Sequence, residues 1–214
     1  GTLIIDSQDN NNLPLNFNGL NNLSTELCLK GKFEITTDIS ISNLRLCSGN
    51  FTINNKTLSL DFFEIGDEAS VNISNSEILV QNQFQNLGES GAFNNNQWTL
   101  LNASINATAN VFYNDTFQFE ETSAIKGAFK AKALKNMGKL TLAGRVTIDS
   151  LIIFDSTTLL MAHDSLFINK AFELNGTEEK AVYGAGASGN VKLVLNYRKL
   201  ICFDNVEIGN VDLV

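Results

Sequence analysis

The apolar residues of this chain come in pairs two positions apart, and the pairs recur after about twenty residues. The repeat is clearest after residue 139, where each of six apolar residues is followed by another apolar residue twenty positions later in the sequence. The six pairs are Leu140/Leu160, Leu142/Ala162, Val146/Leu166, Ile148/Ile168, Ile152/Phe172 and Phe154/Leu174. A spacing of two is typical of β-strands that turn one face inward. We therefore expect about three short strands in each repeat.

The N-terminal half has the same pattern with a period of eighteen to twenty residues. The matched positions are Leu27/Cys28 with Leu46/Cys47, Phe33/Ile35 with Phe51/Ile53 and Val71/Ile73, and Ile39/Ile41 with Leu58/Leu60 and Ile78/Val80. A stack of hairpins needs no fixed period, whereas a parallel coil does, because each turn lays its strands on those of the turn below. Asn and Gly tolerate left-handed backbone and suit its corners. Those at the breaks are Asn43, Asn50, Asn54, Asn55, Gly49 and Gly66.

These patterns predict an all-β fold, namely a right-handed parallel β-helix: a three-sided β-solenoid with coils of about 18–20 residues. Residues 1–214 are expected to form a single solenoid segment of a longer protein, because the last residues remain strand-like and have no capping sequence. The first residues lack the basic and apolar regions of a signal peptide. The alternative is an antiparallel sandwich whose period is coincidental.

Three stretches interrupt the period and are expected to be insertions: residues 83–97, 120–139 and 181–189. The first is rich in Gly and Asn, and the third, AVYGAGASG, is rich in Gly, so both are predicted to be loops. The middle stretch contains AFKAKALKN, which has no β-branched residue and is predicted to form one short helix over 128–136. Loops carry function more often than regular coils do, so these stretches are candidate sites.

Strict alternation along the clearest repeat sends five large apolar side chains outward, where a solenoid wall normally carries polar ones. They are Leu151, Ile153, Leu159, Met161 and Phe167. Such a patch usually marks a contact. We expect the 120–139 segment to cover it with the apolar side of its helix; the alternative is an intermolecular interaction site.

Two of the three cysteines, Cys28 and Cys47, fall on matched positions of adjacent coils. If Leu27 stacks on Leu46, both thiols point outward from strands about 4.8 Å apart, a separation that a disulfide accepts. We predict a Cys28–Cys47 disulfide that leaves Cys202 free. Two free thiols at the same place are the alternative.

The net charge of −8 argues against binding to nucleic acid or to an anionic membrane surface. No run of about eighteen apolar residues is present, so no membrane span is expected in this segment. Five lysines, however, cluster in the middle stretch: Lys126, Lys130, Lys132, Lys135 and Lys139. They form a candidate basic surface for acidic glycans or lipid headgroups, or simply a solvated helix face.

Catalytic chemistry finds little support in the sequence. His163 is the only histidine, and the run His163-Asp164-Ser165 does not by itself make a catalytic triad. Candidate carboxylates for polysaccharide cleavage are Glu64, Asp67 and Glu68, and Asp149 with Asp155. None of Arg45, Arg145 and Arg198 lies beside an acidic cluster in sequence. The cysteines lack metal-ligand spacing. We therefore predict no catalytic residue, no metal and no cofactor.

Strands such as GKLTLAGRVTID and GNFTINNKTLSL, in loose coils with Asn-rich corners, resemble the passenger domains of bacterial autotransporters. The pattern looks most like the vacuolating-cytotoxin-like autotransporters of Helicobacter and related bacteria. This resemblance covers most of the chain but consists of pattern and composition, so it transfers no specific residue. It implies a β-helix that is secreted or attached to the outer membrane at the bacterial surface.

The function expected from this resemblance is non-catalytic adhesion or toxin-like interaction with host cells. The partners would be a host-cell surface protein or glycan and the neighbouring coils of the full-length protein. Two alternatives remain open: a polysaccharide-acting β-helix enzyme (a lyase or hydrolase) and a purely architectural spacer.

Overall fold

The computed structural model describes residues 1–7, 11–18, 26–87, 90–154, 158–161, 165–174, 182–186, 191–195, 200–202, 206–209 and 211–213. Within these ranges the chain forms nineteen β-strands and no helix. The strands pair in parallel with strands of neighbouring coils, and all belong to one continuous sheet. The predicted parallel β-solenoid is therefore confirmed.

The strands differ in length because several of them continue around corners. In chain order they are β1 (Thr2–Asp6), β2 (Leu13–Leu15), β3 (Glu26–Ile35), β4 (Ile39–Asn54), β5 (Thr57–Ser74), β6 (Glu77–Asn86), β7 (Ser90–Asn94), β8 (Gln97–Leu101), β9 (Ser104–Glu120), β10 (Thr122–Asn136), β11 (Lys139–Ala143), β12 (Val146–Ile153), β13 (Thr158–Met161), β14 (Ser165–Leu174), β15 (Val182–Gly186), β16 (Val191–Leu195), β17 (Leu200–Cys202), β18 (Val206–Gly209) and β19 (Val211–Leu213).

The pairing register divides the solenoid into three walls that the chain visits in turn. Wall A contains residues 2–6, 26–30, 43–46, 62–65, 83–86, 104–107, 122–126, 139–142 and 158–161. Wall B contains residues 13–15, 33–35, 51–53, 71–73, 91–93, 110–112, 129–131, 146–148 and 166–168. Wall C contains residues 39–41, 58–60, 78–80, 98–100, 117–119, 134–136, 151–153 and 172–174.

The interior is a column of stacked apolar side chains, because every second residue of each wall points inward. Its middle is aromatic: Trp98 is fully buried and stacks on Phe117 with ring centroids 5.3 Å apart. Phe84 and Phe112 pack against the same indole at 4.9 and 5.6 Å. These contacts join successive coils and anchor the register of the stack.

Corners between walls B and C are built from an asparagine ladder. Asn55, Asn75 and Asn95 follow one another at intervals of twenty residues, and all three have left-handed backbone, with φ of 53°, 50° and 59°. The side-chain amide of Asn95 donates to Oδ1 of Asn75 at 2.9 Å, and that of Asn75 donates to Oδ1 of Asn54 at 3.3 Å. The predicted role of Asn54 and Asn55 as corner residues is confirmed, whereas Asn43 lies on wall A.

The stretches expected to be insertions contain solenoid strands. The 83–97 stretch includes the end of β6, all of β7 and the start of β8, and only residues 88–89 of it lie outside the described ranges. In the third stretch, β15 pairs with β13 and β18, while residues 181 and 187–189 lie outside those ranges.

The helix expected over 128–136 is wrong, because these residues belong to β10. Phe129, Ala131 and Leu134 point inward and are buried, while β9 and β12 pair with the strand on its two sides. A ladder on both sides and burial of one face outweigh the helix propensity of Ala, Lys and Leu. The 120–139 stretch is therefore a turn of the solenoid and not a cover for its wall.

The register expected after residue 148 is also wrong. Leu151 and Ile153 are buried, as is Leu159, whereas Ile152 is half-buried. Asp149 and Ser150 both face outward at the corner between walls B and C, so the alternation shifts by one residue there.

The pairs expected along this repeat are therefore only partly correct. Val146 pairs with Leu166 and Ile148 with Ile168 as predicted. Leu140, however, lies opposite Leu159. Of the five residues in the expected apolar patch, Phe167 alone is shown to face outward, half-buried, and Arg145 lies over its ring at 4.8 Å; the side chain of Met161 lies outside the described part.

Candidate binding surface on the outer walls

A disulfide joins Cys28 and Cys47 on wall A, with the two Cα atoms 5.8 Å apart. The predicted pairing is present, but the stacking used to predict it is wrong, since Leu27 pairs with Leu44. Cys28 lies opposite Arg45 and is only 5% exposed. Cys47 occupies an irregularity in the ladder after Leu46, which brings its sulfur back toward Cys28.

Next to the disulfide, wall A carries a shallow depression of about 240 Å³. Its lining residues are Glu26, Asn43, Leu44, Arg45, Phe62 and Glu64. Arg45 forms an ion pair with Glu64 across neighbouring coils, with Nε and Oε1 2.8 Å apart. Phe62 is 45% exposed, which is unusual for an aromatic ring on a wall whose other outward residues are mostly polar.

The coil register brings these side chains together. Asn43, Phe62 and Gln83 occupy one outward column of wall A, in three successive coils. Arg45, Glu64 and Gln85 occupy the next column along the strands. The two columns are linked where the amide of Gln83 donates to Oε1 of Gln85 at 3.0 Å.

Sequence reasoning considered Glu64 and Arg45 separately and missed their contact, because they are nineteen residues apart in the chain. It missed Phe62 altogether. A signal existed in the run LSLDFFEIG: two adjacent phenylalanines cannot both face inward in one strand, and the inward positions of Phe63 and Ile65 leave Phe62 outside.

Wall B has a larger and chemically simpler depression of about 460 Å³. Its outward lining consists of hydroxyl, amide and small side chains, which include Asn50, Thr52, Ser70 and Asn72. It contains neither a charged residue nor an exposed aromatic ring. This depression offers hydrogen bonds but no anchoring contact.

The five candidate lysines do not form one surface. Lys126 and Lys139 are on wall A, Lys130 is on wall B and Lys135 is on wall C, while Lys132 lies between walls B and C. Because β10 runs around the whole coil, its lysines point in different directions. A single basic face, as a helix would have provided, is absent from this described part of the chain.

A small ionic cluster lies at the corner between walls B and C, and of the five candidate lysines Lys130 contributes its charge to it. Lys170 pairs with Asp149 at 2.5 Å. Burial raises the pKa of Asp149, but hydrogen bonds from Lys170 and Asn169, together with the charges of Lys170 and Lys130, outweigh it and lower that pKa overall.

The acidic run after Glu64 does not converge on a site. Asp67 and Glu68 are exposed at the corner between walls A and B, where Oδ1 of Asp67 accepts the backbone N–H of Glu68 at 3.1 Å. Asp155, His163 and Arg198 lie outside the described ranges. In those ranges no group of three His, Cys, Asp or Glu residues is arranged to hold a metal ion, and no helix is long and apolar enough to cross a membrane.

A second polar cluster lies in the interior, where Asp115 is fully buried. Its carboxylate accepts hydrogen bonds from Nε1 of Trp98 at 2.8 Å and from the backbone N–H of Asn96 at 2.9 Å. The Asn96 amide also donates to Asp115 and to the carbonyl of Ile73. Burial raises the pKa of Asp115 above its ordinary 3.8, although these hydrogen bonds oppose the shift. The cluster is closed to solvent, and its hydrogen bonds join adjacent coils.

Comparisons with protein-family models, curated proteins and solved structures gave no match.

Proposed function

We propose that this chain is a non-catalytic binding segment of a secreted or bacterial surface protein of the autotransporter passenger type, and that it contacts host cells. The observation that carries the proposal is the wall A depression. It combines an exposed phenyl ring, an ion pair and side-chain amides in consecutive coils. An exposed ring and paired donors and acceptors can hold a ligand through apolar contact and hydrogen bonds, and stacked coils present extended binding surfaces.

The Cys28–Cys47 disulfide supports the proposed location. Disulfides persist in oxidising compartments and at cell surfaces, and are rare in the reducing cytosol. The bridge also fastens two coils directly beside the depression. It therefore stiffens the part of the wall that would meet a partner.

The experiment that tests the proposal measures binding of the fluorescently labelled 214-residue chain to cultured epithelial cells. We expect saturable binding that an excess of unlabelled chain displaces. An unrelated acidic protein with the same label is the control, because the chain carries a net charge of −8. Binding that does not saturate, or that equals the control, contradicts the proposal and favours a spacer role.

One observation favours a second candidate function, cleavage of polysaccharides: Glu26 and Glu64 line the same depression. Two carboxylates flanking a glycosidic bond are the usual catalytic pair of glycoside hydrolases. Release of reducing ends by the wild-type chain, and its loss in Glu64→Gln, would establish this function. Equal, background release by both proteins would exclude it.

A further inference from the structure

We propose that the wall A depression centred on Phe62 is a binding site for an uncharged oligosaccharide that lies along the solenoid axis. The inference rests on the proposed binding function and specifies its ligand. Four features of the described residues carry it: the exposed ring, the mixed donors and acceptors around it, the local charge and the spacing of the coils.

The first feature is the ring of Phe62. It is flanked in its column by Asn43 and Gln83, so an apolar face is framed by amides above and below. Sugar rings have one face made of C–H groups, and an aromatic side chain presents a matching flat apolar surface. A phenyl ring 45% exposed on a polar wall gains stabilisation when such a face covers it.

The second feature is the pairing of donors with acceptors. Each sugar hydroxyl both donates and accepts hydrogen bonds, so it is best held where both kinds of partner lie side by side. Arg45 and Glu64 supply this arrangement beside the ring. A guanidinium has five N–H donors, and the contact of Arg45 Nε with Glu64 uses one of them. The Asn43 amide adds one further donor group and one acceptor.

The third feature is charge. The lining contains two carboxylates, Glu26 and Glu64, and one guanidinium, Arg45, which leaves one net negative charge. The whole chain is also acidic, with a net charge of −8. Sialylated or sulfated glycans and phosphate-bearing ligands meet repulsion there. The surface therefore selects uncharged saccharides.

The fourth feature is the repeat. Parallel strands are about 4.8 Å apart, a step comparable with the length of one sugar ring. The paired columns give the rows Asn43/Arg45, Phe62/Glu64 and Gln83/Gln85 in successive coils. Successive sugars of an extended chain would meet one row each, with the central ring over Phe62.

The test uses an array of neutral, sialylated and sulfated oligosaccharides probed with the 214-residue chain, followed by calorimetry with the strongest neutral binder. We expect neutral glycans to bind and Phe62→Ala to weaken binding by at least about tenfold, which corresponds to ~1.4 kcal/mol. Phe62→Tyr keeps the ring and should retain affinity. Met137→Ala is the matched control, because Met137 is also 45% exposed and lies outside the depression.

Folding of each variant is checked by circular dichroism and by the fluorescence of Trp98, the only tryptophan. A preference for sialylated or sulfated glycans overturns the inference, as does unchanged binding by Phe62→Ala. Loss of binding by Met137→Ala to the same degree also overturns it.

A cell assay separates failure of this inference from failure of the proposed function. We expect enzymatic deglycosylation of the cells to abolish their binding of the chain. If the chain binds deglycosylated cells undiminished and binds no arrayed glycan, the inference is overturned and the proposed cell-binding function stands, with a protein as partner. If the chain binds neutral glycans through Phe62 but binds no cells, the site stands and the proposed function fails.

Discussion

Replacing Asp115 by Asn tests whether the hydrogen bonds of this buried carboxylate stabilise the stacking of adjacent coils. In the wild type both carboxylate oxygens of Asp115 accept hydrogen bonds. Asn96 donates to both oxygens, and Nε1 of Trp98 donates to Oδ2. An amide keeps only one of these oxygens. In either orientation of the new side chain, its NH₂ group faces a donor that previously had an acceptor.

The cost follows from leaving one buried N–H without a partner, which destabilises a protein by about 1–3 kcal/mol. This loss is an upper limit at acid pH, where wild-type Asp115 is protonated and one of its oxygens carries a hydrogen, as the amide nitrogen does. Since the folded-state pKa of Asp115 is raised above 3.8, the stabilisation from its protonated form is complete below that pH and is lost as pH rises through the folded-state pKa.

The substituted side chain does not titrate, so the difference in free energy of unfolding between wild type and Asp115→Asn should shrink as pH rises. It should shrink by about 1.4 kcal/mol for each unit by which the folded-state pKa exceeds the unfolded one. Urea unfolding between about pH 3 and 7.5, followed by circular dichroism and by Trp98 fluorescence, measures this difference.

Asp67→Asn is the matched control, because Asp67 is an exposed carboxylate at a corner. Its effect should stay within about 0.5 kcal/mol. A difference for Asp115→Asn that is constant with pH, or that grows as pH rises, would refute the reasoning.

Four further substitutions test the coil-to-coil contacts and the strand register. Cys28→Ser removes a bridge that closes a 19-residue separation and should lower the free energy of unfolding by about 3 kcal/mol; an equal stability in reduced and oxidised wild type would contradict this. Gly49→Ala places a Cβ 2.0 Å from the carbonyl oxygen of Gly31, at a φ of +107°, and should cost more than about 2 kcal/mol or prevent folding, as thermal melts would reveal. Leu151→Ala should cost about 2–5 kcal/mol and Ile152→Ala under about 1 kcal/mol in urea unfolding; the reverse order would restore the register expected from strict alternation.

Much of the architecture was predictable because every solenoid coil needs apolar residues at the same inward positions. Every inward position must stack an apolar side chain on another, so Phe33, Phe51 and Val71 fall into one column that the sequence period already indicates. Left-handed corners likewise favour Asn at Asn55, Asn75 and Asn95. In these places local preference and global packing agree.

The candidate site was less predictable, since its members come from different coils. Arg45 and Glu64 are adjacent in space only because one coil in that part of the chain takes nineteen residues. The next step, from Glu64 to Gln85, takes twenty-one residues, and an irregularity between Leu60 and Phe62 keeps both side chains in one outward column. Small irregularities in coil length therefore decide which outward side chains meet.

The sequence by itself determined the all-β parallel solenoid and its approximate period. It also indicated Cys28 and Cys47 as disulfide partners, although from a stacking that the structure does not have. Only the tertiary structure decided the register around each corner, the strand at Thr122–Asn136 and the meeting of Phe62 with the Arg45–Glu64 pair. The physical reason is that periodicity reports burial averaged over coils, whereas corners such as Asp149–Ser150 shift the alternation by single residues. Pairing with neighbouring coils then overrides local helix propensity and sets what each outer wall presents.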